Sequence, residues 1–215
     1  METEPRPDVL SGEFFPRPPR QERSRRAREA LLDAALSRFA ANGYDATTVE
    51  EIARDAGIAV GGFYLHFRSK RQVLLVLLDR LLREFESIPR NARAGDPASI
   101  MDCIGSCFIT RWRHAGVYRA WREATLRETS LAAIHVRIEA WTRSFVAEAL
   151  TAAAAAAGAR RDVDIPALSC MLNVIFLRLL EVAGPDRDAL SETVVAVVRH
   201  AVLADARGAG RGVTR

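Results

Sequence analysis

The stretch YDATTVEEIARDAGIAVGGFYLHFRSKRQVL, residues 44–74, decides the fold. It reads as two short helices joined by a glycine-containing turn, followed by a third helix with its own cap. That is the grammar of a helix-turn-helix, whose second helix enters the major groove of DNA. Thr48 and Glu51 have capping-box spacing, so hydroxyl and carboxylate can each satisfy a backbone N–H of the first turn. The helix 48–55 stops at Gly57, a residue suited to the left-handed position just past a helix end. A second helix runs from about Ile58 to Leu65, and Ser69 with Gln72 forms a second box that starts a third helix near Lys70. Ile52, Ala56, Ile58 and Phe63 make the apolar interior of the pair. A helical hairpin without a ligand is the weaker reading, because it leaves Tyr64, His66 and Lys70 at one end with no core role.

Working outward, residues 16–28 hold six arginines (17, 20, 23, 25, 26 and 28) against the single acid Glu22. This segment carries +5 of a total of +4, so the rest of the chain sums to −1. Residues 1–22 therefore read as a disordered basic arm that leads to Arg25 and Arg26, placed to touch phosphates or a minor groove. A plain solvated tail is an equal reading for residues 1–15.

Helical periodicity extends over the remainder, and strand signals are nearly absent, so the fold is expected to be all-α. Arg23–Asn42 puts Leu32, Ala35, Leu36 and Phe39 on one face, with Asn42-Gly43 as the stop. The helix Lys70–Ser87 carries Leu74, Leu77, Leu78, Leu81 and Phe85 at the same spacing. Beyond it, helices are expected at about 97–114, 117–127, 130–157, 166–183 and 187–206. The organisation is then a basic arm (1–22), a helix-turn-helix DNA-binding domain (23–88) and a helical effector-binding and dimerisation domain (89–215).

Three cysteines, an odd number, argue against a disulfide framework and for a reducing cytoplasm. No apolar run approaches the roughly 20 residues a membrane span needs, and the polar, Arg- and Pro-rich first 30 residues hold no signal peptide. No Ser/His/Asp arrangement, glycine-rich phosphate loop or paired carboxylates suggest an enzyme. Cys103 and Cys107 lie one helical turn apart, with His114 and His135 not far along the chain, but a zinc site lacks a matching ligand pair, and small buried thiols are the better account. No metal or cofactor is expected.

In the second domain, Cys107, Phe108, Trp112, Trp121, Trp141 and Phe145 are candidate walls of an apolar ligand pocket, with Asn173 as an orienting amide. Each has the alternative of being an ordinary core residue. The last two helices have apolar faces wider than one terminal helix needs. Leu172, Ile175 and Leu179 on one, and Val194, Val197, Val198 and Ala201 on the other, suit a four-helix interface between two copies of the chain; the alternative is a monomer core.

The segment Ala27–Leu81 resembles the DNA-binding domain of TetR-type (TetR/AcrR) transcriptional regulators. The matching features, in order, are Ala34-Ala35 with Phe39, Gly43-Tyr44, Thr47-Thr48-Val49, Ile52-Ala53, Ala56-Gly57-Ile58, Gly61, Phe63-Tyr64, His66-Phe67 and Ser69-Lys70. The resemblance implies an all-α homodimer that binds a palindromic duplex DNA operator, most often as a repressor, and that a small-molecule inducer releases. A DNA-binding or architectural protein without such a switch is the alternative. It further implies that Thr48 contacts a phosphate, that Tyr64 and His66 contact phosphates or groove walls, and that Lys70, the only lysine of the chain, clamps a phosphate. Val60, Gly61 and Gly62 stand where the family reads bases. The chain departs from the pattern at Ala59, where Ser or Thr commonly caps, at Val60, where a polar residue is common, and at Gly62, a second glycine. Few hydrogen-bonding side chains remain there, so close backbone approach is expected, with Val60 against thymine methyls. The Lys70–Ser87 helix belongs to both domains, so its tilt is expected to set the spacing of the two reading helices, about one DNA turn, ~34–36 Å.

Overall fold

The structure is a computed structural model that describes residues 5–17, 20–88, 103, 105–107, 110, 114–155, 160, 162–179 and 187–202. Among them are the helices α1 (Glu22–Asn42), α2 (Val49–Asp55), α3 (Val60–Tyr64), α4 (Lys70–Glu86), α5 (Ala115–Arg127), α6 (Thr129–Ala154), α7 (Ile165–Leu179) and α8 (Arg187–Val202). Residues 103, 105–107 and 110 are also helical, and no described residue is in a strand. The fold is all-α, with a helix-turn-helix near its N-terminus.

The chain divides into two compact units. One holds Arg6–Glu84 with Arg113–Ile138, and the other holds Met1–Pro5, Phe85–Trp112 and Glu139–Arg215. The first division falls inside α4, at the edge of the expected DNA-binding domain. The grouping beyond it differs from a plain split at residue 88, because α5 and the start of α6 cluster with the helix-turn-helix.

The N-terminal unit is built on α1. Leu31, Leu32, Ala35 and Phe39 are buried along one face at three- and four-residue spacing. The helix ends at Gly43, whose φ of +81° is costly for any residue with a Cβ, and whose N–H donates to the Phe39 carbonyl at 3.1 Å. The capping box of α2 is formed: the Glu51 N–H donates to Thr48 Oγ1 at 3.2 Å, and the Thr48 N–H donates to Glu51 Oε2 at 2.9 Å. Gly57 follows α2 at φ +67°. Phe63 of α3, Phe67 and Leu74 close the interior against Ile52, all fully buried. At the head of α4, Ser69 Oγ accepts from the Gln72 N–H at 3.3 Å. Gln72 Oε1 takes the Arg68 N–H at 2.9 Å rather than that of Ser69, so the second box is shifted by one residue.

Two features of this unit reach far along the chain. Residues 5–17, expected to belong to a disordered arm, are held in place. Val9 is buried, Arg6 meets the buried carboxylate of Asp79 at 2.7 Å, and the Gln72 amide donates to Glu13 and to the Phe14 carbonyl at 3.2 and 3.1 Å. Asp79 is a buried acid amid the leucines of α4 and needs these cations, Arg6 and Arg83, because an unpaired buried carboxylate is costly. The second feature is α5, which lies on α1. A Cβ on Gly116 would sit 2.5 Å from Ala40 Cβ, so the glycine lets the two backbones approach.

In the C-terminal unit, Phe85, Trp141 and Phe145 form an aromatic cluster with ring centroids 4.7–6.2 Å apart. Val146, Leu150, Leu168, Leu172, Val198 and Val202 are buried, as are Cys103 and Cys107. No helix among the described residues is long and apolar enough to cross a membrane.

Candidate nucleic-acid interface

The reading helix α3 is one and a half turns long and rests on Phe63, its only buried residue. Ala59 precedes it with extended backbone and gives no side-chain cap. The outward surface consists of Ala59, Val60, Gly61, Tyr64 and Leu65; Tyr64 is 51% exposed and Leu65 72%. Tyr64 touches the edge of the Phe63 ring, but half of it and most of Leu65 are left in water. The two glycines differ. A Cβ on Gly61 would meet nothing within 4 Å, whereas a Cβ on Gly62 would lie 2.6 Å from Cγ2 of Ile58. Packing inside the protein therefore demands Gly62 and leaves Gly61 unexplained.

The loop that delivers α2 is held from two sides. The Glu123 carboxylate on α5 accepts from the Tyr44 N–H at 2.6 Å and the Asp45 N–H at 3.1 Å. Lys70 Nζ donates to the carbonyls of Tyr44, Asp45 and Thr47 at 2.7, 3.2 and 2.8 Å, and lies 4.5 Å from the Tyr44 ring centroid. An ammonium has three protons, and here each has a carbonyl. Lys70 is thus an anchor of the loop in this structure, where the resemblance implied a phosphate clamp; carbonyls outside any helix need donors, and Lys70 is in reach. Burial, with Glu128 nearby as the next cause, pushes the Tyr44 hydroxyl up to about 12. On the other side of α2, Arg38 reaches Asp55 at 2.9 Å. That bond holds the Asp55 carboxyl below its ordinary value, and the Thr48 N–H does the same first of all for Glu51.

Thr48 is exposed at the head of α2, with its hydroxyl engaged in the cap. Arg25 and Arg26 lie within α1, beyond the arm, and both pair with Glu22 one turn earlier. His66 is half-buried, and burial followed by the nearby Arg28 lowers its pKa. A pocket of about 470 Å³ opens beside it, between residues 15–17 and α1.

The candidate ligand residues separate. Trp121 is in the N-terminal unit, fully buried, with its indole N–H donated to His135 Nδ1 at 3.1 Å. Cys107, Trp141, Phe145 and Asn173 are buried in the C-terminal unit, while Phe108 and Trp112 lie outside the described residues. Trp141 Nε1 is buried and has no hydrogen-bond partner among the described residues. Of the candidate dimer residues, Leu172 and Val198 are buried within the chain itself. Ile175, Val194 and Ala201 are intermediate, Val197 is 55% exposed, and the side chain of Leu179 is not described. Among the described side chains of the two helices, Met171, Val174 and Val197 are large, apolar and exposed.

Sequence reasoning named Arg28 only within the arginine-rich segment 16–28, and missed Glu123 and the pairing of Arg6 with Asp79. Asp79 carried a signal, as an acid amid the leucines of α4. Glu123 carried none, because its partners are backbone groups almost 80 residues earlier.

Residues 31–77 match the family model described as bacterial regulatory proteins, tetR family. Among curated relatives, the HTH-type transcriptional regulator YerO of Bacillus subtilis is 46% identical over 48 residues, 22% of this chain and 17% of that protein. The HTH-type transcriptional repressor KstR2 of Mycolicibacterium smegmatis is 44% identical over 70 residues, 33% of this chain and 31% of that protein. The chain thus covers less than a third of either relative. Among solved structures, the ketosteroid transcriptional regulator KstR2 of Mycobacterium tuberculosis aligns over 83% of this chain and 95% of that one, with a TM-score of 0.65 and 22% identity. SmeT, the repressor of a Stenotrophomonas maltophilia multidrug efflux pump, aligns in its triclosan complex over 88% and 99%, with a TM-score of 0.65 and 22% identity. At that identity the likeness concerns the fold.

Proposed function

We propose, from the match of residues 31–77 to the family model of bacterial regulatory proteins, tetR family, that this chain is a transcriptional regulator of that kind, most simply a repressor, that binds a palindromic DNA operator as a homodimer and leaves it when a small molecule binds. The observation that carries the reading is α3: an exposed Val60–Gly61–Tyr64 face, set on a capped and doubly anchored α2. Thr48, Val60, Gly61, Tyr64 and His66 are the DNA contacts. Gly61 lets the backbone come close to the bases, and Val60 faces thymine methyls.

For the effector, the support is Trp141. Its orphaned N–H beside Phe85 and Phe145 suits an apolar molecule that carries an acceptor. That SmeT is crystallised with triclosan agrees with an apolar ligand of this kind. For the dimer, the support is the apolar surface Met171–Val174–Val197, with Ile175, Val194 and Ala201 at its margin. Coupling runs through α4, whose residues belong to both units: an effector that binds one tilt of α4 more tightly shifts the population away from DNA by its differential affinity.

Selection from a pool of random duplexes, run in parallel with Tyr64→Ala, tests the reading. Enrichment of a palindrome by the wild type alone is expected. Equal enrichment by both proteins, or none by either, defeats it. An operator that no small molecule displaces leaves a regulator without a switch.

A further inference from the structure

The pocket beside His66 lies wholly within the N-terminal unit, apart from the reading helix itself. Phe15, Pro16 and Arg17 form one wall, and Arg25, Arg28 and Glu29 of α1 form the other. Its charges are not balanced. Arg25 is paired with Glu22, and Glu29 is turned to Arg80 at 2.7 Å. Arg28 is different. Its guanidinium lies 4.8 Å from the Phe67 ring centroid, half-buried, and makes no hydrogen bond to any described residue. Glu29 is its nearest acid, and Arg17 is exposed with no ion pair to a described residue. A guanidinium has five N–H donors, and one fixed over an aromatic ring presents them in a constant direction, suited to the paired oxygens of a phosphate.

The wall at residues 15–17 is placed by anchors, one of which also neutralises the buried Asp79 carboxylate. Arg6 is locked on Asp79, Glu13 meets Arg71 at 3.2 Å, and Gln72 holds Glu13 and the Phe14 carbonyl. Ordering a dozen residues of chain costs conformational entropy, and among residues 5–17 only Val9 and Pro7 are buried in return. What the ordering produces is a basic pocket at the end of α3.

We propose that this pocket is an anion site that seats a phosphodiester group of the DNA backbone beside the reading helix, held by Arg28 with Arg17 and the His66 ring. The assignment rests on the DNA-binding reading above and adds to it two arginines that the helix-turn-helix pattern does not supply. The same chemistry admits a free phosphate-type anion, so the experiment has one arm for each source.

In the first arm, the full-length protein and its Arg28→Gln, Arg28→Lys, Arg17→Gln and Arg143→Gln variants bind a mixed-sequence duplex across a salt series. Arg143 is exposed in the other unit and controls for loss of total charge. Arg28→Gln is expected to weaken binding about tenfold at low salt and to reduce the slope of log K against log salt by about one, and Arg17→Gln to do the same to a smaller degree. Arg28→Lys keeps most of the slope, and Arg143→Gln keeps all of it. Arg17 is solvent-exposed, so its variant reports the site even where Arg28→Gln disturbs the packing on Phe67. In the second arm, the ring signals of His66 are followed by NMR during titration with inorganic phosphate. A saturable shift that Arg28→Gln abolishes is expected.

Equal slopes for Arg28→Gln, Arg17→Gln and Arg143→Gln overturn the seating of DNA, even if Tyr64→Ala still abolishes operator selection. A wild type that binds no duplex yet shows the saturable phosphate shift defeats the DNA reading and leaves a free-anion site, which also overturns the assignment. Absence of both effects removes the site altogether.

Discussion

Trp121 and Trp141 are the same residue at almost the same burial, in different units, and they are treated differently. The Trp121 indole N–H is donated to His135 Nδ1; the Trp141 N–H has no partner among the described residues. A buried unpaired donor costs roughly 1–3 kcal/mol. The Trp121 indole is satisfied by a neighbouring side chain, whereas Trp141 holds a donor in reserve. A reserved donor among aromatic rings is what a ligand with an acceptor can complete.

The sharpest way to break this contrast is to remove both indoles. Trp121→Phe deletes a hydrogen bond as well as volume and should cost ~2–4 kcal/mol. Trp141→Phe loses volume but also discards an unsatisfied donor, so it should cost no more than ~1 kcal/mol. Urea unfolding of the two variants measures the gap, and equal costs would end the comparison. Trp141→Phe should also lose response to any effector that carries an acceptor, with operator binding unchanged.

Next in size is Glu123→Ala. It removes the charged acceptor of two backbone N–H groups and should cost ~1.5–3 kcal/mol. Because those N–H groups belong to the loop that delivers α2, operator affinity should fall further than Glu123→Gln makes it fall, since an amide oxygen still accepts. Amide hydrogen exchange at Tyr44 and Asp45 would show the release directly. Protection unchanged in the alanine variant would mean that the loop is held without α5.

What could be read in the sequence follows the range of the interactions. Capping at Thr48 and Ser69, the glycine stops at 43 and 57, and the inward face of α1 are all local, fixed by residues three or four apart, and the local pattern is sufficient for them. Glu123 with Tyr44, Arg6 with Asp79 and the inward turn of Lys70 join residues 23 to 79 positions apart, and no spacing rule connects them. For that reason the local pattern groups α5 with the rest of 89–215 and puts residues 5–17 in a disordered arm. In α7 and α8 the limit is different. Periodicity marks a wide apolar face, but the same pattern serves the chain's own core and a second copy. Only burial separates Leu172 and Val198, turned inward, from Met171, Val174 and Val197, left in water.

The two glycines of α3 sharpen the contrast between residues that serve packing and residues that serve a partner. Gly61→Ala meets open space and should stabilise the free protein by ~0.5–1 kcal/mol while weakening operator binding. Gly62→Ala must displace Ile58 and should destabilise by about 1 kcal/mol. Thermal unfolding together with duplex binding separates them. A Gly61→Ala protein that binds operator as well as the wild type would show that nothing approaches the backbone there.

The smallest effect belongs to His66, and its sign follows from its surroundings. Burial, and next the positive charge of Arg28, lower its pKa below the ordinary value of 6.5. In the folded protein the ring therefore binds a proton less readily than in the unfolded chain. Stability is then unaffected above about pH 6.5, declines as the pH falls from 6.5 through the lowered folded value, and levels off below it. Replacing His66 by Gln should flatten that part of the profile, and Arg28→Gln, which removes the second cause, should narrow it. An anion in the pocket acts in the opposite direction, because a negative charge beside the ring favours its proton. Urea midpoints at pH 7.5 and 5.5, taken with and without inorganic phosphate, should therefore differ least when phosphate is present. A pH difference that phosphate leaves untouched in the wild type would mean that no phosphate-type anion sits beside His66.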